Sequence, residues 1–434
     1  MRRVAIVASH FVPSNLAAVH RARLWSQHLA EFGWEPTIVT AHFRHYREPI
    51  EPDLEQLLPE GLRVVRTPAF PALPFGILGD VGLRALPFHL RAVCRLAREQ
   101  SLDFLHITIP SNYSALVGRL ARNRCGLPYG IDYIDPWVNP WPGSEKRLSK
   151  AWVAFHLGRA LEPWAVRQAS LITGVAPRYY EGMLERNPGL RSKVVTAAMP
   201  YGYSDMDAAL ADRLPRTPFL FEPGDGKFHV VYAGAMLPKA YTVLERLLET
   251  IAVLAGESPA FARDFRLHFV GTGRSPTDPD GFNVMPLVRA RGLEAIVDEH
   301  PQRIGYLDVL AHLRHASAVL VLGSTEPHYT PSKVFQALQF GRRLLAILHA
   351  ESSAAEVLRL AGRGAVITFQ EHELPAVSHL CSALAALVAG DVGATSGADW
   401  TALERFSARS SARALAAALD EAMELEQRVR AEGP

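Results

Sequence analysis

The chain has 434 residues, 48% of them apolar and 21% charged, with a formal net charge of +2. That length is long for one core and comfortable for two domains, and the near-neutral balance excludes the basic surplus with which a protein grips a nucleic acid backbone. Its three cysteines, Cys94, Cys125 and Cys381, lie far apart without metal-ligand spacing, which excludes a disulfide framework and a zinc site and fits a reducing cytoplasm.

Residues 1–9 set basic before apolar positions, as a secretion signal does, but the apolar run is too short and leads into a helical pattern. A first parallel strand is predicted over 4–8. Apolar positions at 16, 19, 24, 29 and 32 then predict one helix closed by Gly33, and 37–40 a second strand, the βαβ opening of a doubly wound sheet. The loop between them, His10-Phe11-Val12-Pro13-Ser14-Asn15, lacks G-x-G-x-x-G, so dinucleotide binding is not supported. Proline-rich residues 41–90 predict loops around one strand at 62–67. A helix over 90–99, a strand over 104–109 and a helix over 113–124 follow.

The next strand runs into Tyr129-Gly130-Ile131-Asp132-Tyr133-Ile134-Asp135-Pro136-Trp137. Ending on Asp-Pro-Trp puts the Asp135 carboxylate at the carboxyl edge of a parallel sheet, where open α/β folds bind ligands. A cap on the turn before Pro136 explains the same residue equally well. Residues 137–167 combine Trp137, Trp141, Trp152 and Trp164 with Lys146, Arg147, Lys150, Arg159 and Arg167. Either this is a helix lying on an anionic membrane surface, or it is core packing with a solvated face. No run of about twenty apolar residues predicts a membrane span. Met199-Pro200-Tyr201-Gly202-Tyr203-Ser204-Asp205 supplies the Pro and Gly of a defined turn, and predicts a domain boundary.

After a Pro- and Gly-bearing segment at 215–226 the pattern restarts. A strand over 228–234, a helix over 243–254 and a strand from 265 lead to the tip Gly271-Thr272-Gly273, whose glycines let backbone approach a ligand. A helix covers 309–315. Asp205-Met206-Asp207 and Asp278-Pro279-Asp280 spell D-x-D in loop contexts and are expected to be solvated carboxylates. His312 and His315 lack the acidic partner of a zinc motif, so no metal site is expected. The tail from 400 to 430 has helical spacing.

The central stretch is the apolar strand 318–323, a polar loop, a helix over 331–340 and a strand over 344–348. Thr330 suits the N-cap, Pro331 the first helical position and Gly341 the C-terminal left-handed residue. A helix start bearing Thr330, Ser332 and Lys333 offers unpaired N–H groups and positive charge to an anion, with Gln336 in reach of a neighbouring sugar hydroxyl. The bland alternative is a plain cap, a solvated serine and a surface lysine.

Pro331-Ser332-Lys333-Val334-Phe335-Gln336-Ala337-Leu338-Gln339-Phe340-Gly341 resembles the nucleotide-sugar segment P-S-K-x-x-E-x-x-x-x-G-x-P of retaining GT-B glycosyltransferases of the family 4 type. The family's pair of glutamates, eight apart, is replaced here by His328 and Gln336, with Glu326 an uncertain stand-in for the first. The 129–137 run resembles D-x-R-D-P-W, with Ile134 in place of the arginine, and 199–205 resembles P-N-G-x-D. The resemblance implies an α/β fold of GT-B type, two Rossmann-like domains facing a central cleft. Residues 1–205 would bind the acceptor, 206–226 link the domains, 227–399 bind the nucleotide sugar, and 400–434 form a helix crossing back to the first domain.

It implies a glycosyltransferase moving a sugar from a nucleotide diphosphate sugar to a hydroxyl acceptor, whether saccharide, lipid-linked saccharide or natural product. The configuration would be retained, with no metal and no cofactor beyond the donor. Asp135 would be catalytic. Donor contacts would come from Lys239, Gly271, Gly273, Tyr306, Thr330, Ser332, Lys333 and Gln336, with Ala235 where the family has an arginine. Tyr306, in a strand edge at 304–307, would stack on the base or simply pack. Asn15, Arg21 and Trp137 would line the acceptor side, the alternative for Arg21 being a solvated helix arginine. The protein would be cytoplasmic, at the inner face of the membrane if the basic and aromatic segment lies there. Competing readings are a GT-B nucleotide-sugar epimerase and a non-catalytic nucleotide-sugar-binding protein.

Overall fold

The computed structural model describes residues 1–72, 79–100, 102–139, 144–236, 238–273, 281–325, 333–340, 342–370, 373–392 and 397–432. They form two compact units, one of residues 1–202 and 406–434, the other of residues 203–405.

The first unit is built on a seven-stranded sheet in the order β3-β2-β1-β4-β5-β6-β7. Its strands are β1 Arg2–Ala8, β2 Trp34–Ala41, β3 Arg63–Thr67, β4 Phe104–Ile109, β5 Tyr129–Tyr133, β6 Leu171–Gly174 and β7 Val195–Ala198. All neighbours pair parallel, for instance Ile6 with Ile38 on one side and with His106 on the other. All six residues of β4 are buried, because helices cover both faces of such a sheet. The strand order reverses between β1 and β4, and open α/β folds leave a ligand crevice outside the carboxyl ends at such a point.

Local chemistry altered two expected helices. The helix expected over 16–32 is a short α1, Val19–Ser26, and a separate 3-10 turn, Leu29–Phe32, closed by Gly33 at φ 85°. The Ser26 hydroxyl donates to the Arg23 carbonyl at 2.7 Å, a local bond that competes with helix continuation. The helix expected to begin at 90 begins instead at 81: α2 spans Val81–Gln100 and carries Pro87 inside. The Asp80 carboxylate accepts from the Leu83 amide at 2.7 Å and so starts it. α3, Ala115–Cys125, and α4, Lys150–Val166, follow, the latter N-capped by Ser149.

The C-terminal helix Ala408–Glu432 belongs to this unit. Its Ser411 accepts from the Trp25 indole at 3.0 Å and its Asp420 from the Trp34 indole at 3.0 Å, while Glu426 pairs with Arg122. Where the chain leaves the unit, Gly202 lies against backbone of the returning segment: a Cβ there would stand 2.5 Å from the Phe406 carbonyl oxygen.

The second unit holds a six-stranded parallel sheet in the order β10-β9-β8-β11-β12-β13. These are β8 Phe228–Ala233, β9 Phe265–Val270, β10 Val297–His300, β11 Ala318–Leu322, β12 Leu344–His349 and β13 Ala365–Phe369. The expected linker opens with a helix, Asp205–Arg213, and residues 304–307 are not a strand, since Tyr306 begins the helix Tyr306–His315. Among the described residues no helix is long and apolar enough to cross a membrane.

Candidate active site

In the second unit, the helix Lys333–Phe340 follows β11, and Lys333 is its first described residue. Thr330, Pro331, Ser332 and Gly341, together with Glu326 and His328, lie outside the described residues, so their expected roles are not addressed by the geometry. Lys333 is half-buried as a residue, but its Nζ is buried and has no hydrogen-bond partner among the described residues. The ammonium sits 3.7 Å from the centre of the Tyr232 ring. A Cβ at Gly234, whose φ is 127°, would stand 3.2 Å from it, so only glycine leaves the space the lysine head occupies. Burial pulls the ammonium down to about 7. An aromatic face offsets part of the desolvation of a cation, but a buried charge without an anion remains costly.

The strand tips around this lysine are laced together. Gly234 donates its amide to Val270, Met236 to Thr272, Gly271 to His300 and Gly273 to Pro301, all at 2.8–3.1 Å. The N–H groups of Gly271 and Gly273 are therefore spent on protein carbonyls; what these residues offer a ligand is close backbone approach. Lys239 is exposed, and its carbonyl accepts from the Thr325 amide at 3.1 Å, tying the short turn Pro238–Ala240 to the loop after β11. Gln336 lies three positions beyond Lys333, on the same helix face, and is half-buried. Tyr306 donates its hydroxyl to Asp207 at 2.6 Å. That bond also gives one member of the Asp205/Asp207 pair a partner inside the protein, where a free, solvated carboxylate was expected. Asp278 and Asp280 lie outside the described residues.

In the first unit, the carboxyl ends of the central strands carry the polar groups. Asp135 follows β5 and is exposed, yet desolvation by surrounding protein raises its carboxyl above the usual range. Beyond β1, His10 Nδ1 lies 2.6 Å from Glu48 Oε1, and the Ser14 hydroxyl donates to the same oxygen at 2.6 Å. Burial alone would raise Glu48, but the hydrogen bond and charge of His10 and the Ser14 hydroxyl outweigh it and hold the carboxyl at about 2. Asn15, next in this loop, is buried.

Two expected acceptor contacts are structural. Arg21 is buried, and its Nε and Nη2 donate to the two oxygens of Asp132 at 3.0 and 2.9 Å while Nη1 donates to the Met199 carbonyl. Stacked 4.3 Å from the Trp25 ring centre, this guanidinium is neither a solvated helix arginine nor open to an acceptor. Trp137 is likewise buried in the main core of the unit, edge-on to Tyr113 and under Gly158 of α4, where a Cβ would lie 3.2 Å from the indole. Among the described residues no three His, Cys, Asp or Glu side chains group as metal ligands would.

The signals missed by sequence reasoning are pairings between distant segments: His10 with Glu48, and Lys333 with Tyr232. Neither has a spacing that could have been read.

Comparison with known proteins agrees with this architecture. Residues 17–202 match the glycosyl transferase 4-like domain family. A comparison with curated protein sequences finds no match. Among solved structures, Anabaena Alr3699/HepE in complex with UDP and glucose is similar, with a TM-score of 0.54 and 15% identity over 100% of this chain and 99% of that one. A UDP-forming α,α-trehalose-phosphate synthase from Burkholderia xenovorans gives a TM-score of 0.61 at 11% identity, over 97% and 99%. The lipopolysaccharide outer core galactosyltransferase WaaB gives 0.54 at 13%, over 97% and 99%. At such identities the structures speak for the fold, which is GT-B, and the domain match for the enzyme class. The chain is a glycosyltransferase.

Proposed function

We propose that this glycosyltransferase takes its sugar from a nucleotide diphosphate sugar, with the diphosphate gripped by Lys333 in the second unit and an acceptor hydroxyl received at the carboxyl edge of the first. The observation that carries the reading is the buried Lys333 ammonium beside Gly234 and Tyr232, which has no hydrogen-bond partner among the described residues. A group so placed is costly until an anion arrives, and an anionic diphosphate is what a glycosyl donor brings. Structures of similar fold were solved with UDP and with UDP-glucose, which supports a nucleotide donor.

Transfer requires the bond between the anomeric carbon and the phosphate oxygen to break while charge builds on the departing diphosphate. A fixed cation in a dehydrated site stabilises that charge more than it stabilises the bound donor. Asp135 is the proposed contact to the acceptor hydroxyl. Retention of configuration, independence of metal, and donor contacts from Lys239, Ser332, Thr330, Tyr306 and Gln336 complete the proposal; Gln336 keeps the hydrogen-bonding shape suited to a ribose hydroxyl.

The test is a panel of nucleotide sugars, followed by mass spectrometry of donor and product. Transfer or donor hydrolysis lost in Lys333→Ala supports the reading. Isomerisation of the sugar, or binding without turnover, overturns it in favour of an epimerase or a binding protein.

We also propose that α4 rests on an anionic membrane, where a lipid-linked acceptor would be found. Val153, Leu157 and Trp164 are exposed and fall, with Ala160, within about 60° of the helix surface at 100° per residue. Exposed Lys150 flanks them on one side, and Arg167 at the helix C-cap on the other, the pattern of an interfacial helix. Sedimentation with phosphatidylglycerol vesicles but not with phosphatidylcholine vesicles is expected; equal recovery with both counts against it.

A further inference from the structure

His10 stands where the first unit's strand order reverses, two residues past the end of β1. Its ring is held from two sides. Nδ1 meets the Glu48 carboxylate at 2.6 Å, and the Tyr46 ring packs at 4.9 Å, tilted 31°. Glu48 is itself buried, with its side chain 5% exposed, and is fixed by Ser14. Glu48 Oε1 accepts the Ser14 hydroxyl and faces Nδ1 at 2.6 Å with its carboxyl well below the usual range, so it accepts, and a neutral imidazole here carries its proton on Nδ1. That leaves Nε2 as a lone-pair acceptor. Among the described residues Nε2 has no protein partner, and the His10 side chain is 22% exposed.

We propose that His10 is an acceptor-binding residue whose Nε2 accepts a hydrogen bond from a hydroxyl of the incoming acceptor, with Glu48 as the positioning residue that fixes the tautomer; this rests on the function proposed above. A histidine serving packing alone needs no buried carboxylate to choose its tautomer and no open nitrogen. Ser9, beside it, is hydrogen-bonded to Ser114 after β4 at 2.5 Å, which ties the loop to the neighbouring strand end. Asp135 lies beyond β5, two strand spacings from β1, about 10 Å along the sheet edge. That span suits two hydroxyls on one saccharide, one at each residue, and points to a polyhydroxylated acceptor instead of one with a single hydroxyl. No proton leaves the acceptor in this contact: Nε2 only holds and orients the hydroxyl.

Among the described residues the groups against the His10 ring are Glu48 and Tyr46, with Ser14 behind the carboxylate.

The experiment measures transfer by the full-length protein from its preferred nucleotide sugar to octyl glycosides and to a lipid-linked saccharide extract, with KM for each substrate. Expected for His10→Gln is a tenfold or larger rise in acceptor KM with donor KM within twofold. Glu48→Gln should show the same split, weaker, with the His10 ring nitrogen NMR signals moving away from a single Nδ1-protonated form. Unchanged acceptor KM in His10→Gln, with wild-type transfer intact, overturns the role of His10 alone. Absence of transfer by the wild type overturns the proposed function and this inference with it. A melting scan and donor binding by each variant separate misfolding from a lost contact: a variant that melts early and binds no donor is replaced by His10→Asn, read by the same split.

Discussion

Arg21 and Asp132 form a two-pronged ion pair inside the first unit, their side chains 1% and 0% exposed. Thr173 donates to the same carboxylate at 2.7 Å, so every charged edge of the pair is met. Removing one partner from such a pair strands the other charge in the interior, at a cost of about 3–5 kcal/mol. Arg21→Met is therefore expected to lower the melting temperature markedly. Because the pair is buried in the first unit and Lys333, the proposed donor contact, lies in the second, donor KM in the surviving folded protein should stay near the wild-type value. A large donor KM effect at full stability would reverse that assignment.

Lys333 gives the protein a pH signature. Its ammonium is held at about 7 in the folded protein against 10.5 in the free side chain, so between those values the unfolded chain binds the proton and the folded one does not. Stability from this group therefore rises with pH from about 7 to about 10.5. Lys333→Met should flatten that rise in thermal scans. Donor binding should reverse the shift by supplying an anion: near pH 8 a nucleotide diphosphate should bring proton uptake, visible in calorimetry as a dependence of binding heat on the buffer's ionisation enthalpy. No buffer dependence would count against a diphosphate at this lysine.

Asp135→Asn is expected to lower kcat about 100-fold with donor affinity kept. Desolvation raises its carboxyl, so the acid limb of the wild-type rate profile should lie above the usual carboxylate value of about 3.9. An acid limb that survives in Asp135→Asn would assign it to another group.

Gly202→Ala should destabilise by about 1–3 kcal/mol, the range for overpacking. The new methyl meets backbone atoms of Phe406, Ser407 and Ala408 at 2.5–2.6 Å, and backbone cannot swing aside as a side chain can. Chemical denaturation read on the first unit measures it.

Much of the fold was legible. Runs such as Phe104–Ile109 and Ala318–Leu322 are strands because a continuous apolar stretch can only be satisfied between two helical layers. Short strands such as β10 and β13, of four and five residues, escaped. Val297–His300 carries three polar residues in four and has no period to detect.

The candidate site was only half legible. Composition, spacing and the Pro-Ser-Lys resemblance were enough to indicate a doubly wound protein and to draw attention to Lys333, because those depend on residues close together in the chain. Whether a given polar side chain faces solvent, a ligand or another residue depends on partners brought from far away. Arg21 is silent until Asp132, 111 positions on, arrives to neutralise it. His10 is ordinary until Glu48 fixes its proton, and Lys333 becomes a buried cation, without a hydrogen-bond partner among the described residues, only once Tyr232 and Gly234 close around it. Local sequence decided which segments became strands and helices; tertiary packing decided which charges were cancelled and which were left waiting, because desolvation and Coulomb energy are set by distance in space and not by distance along the chain.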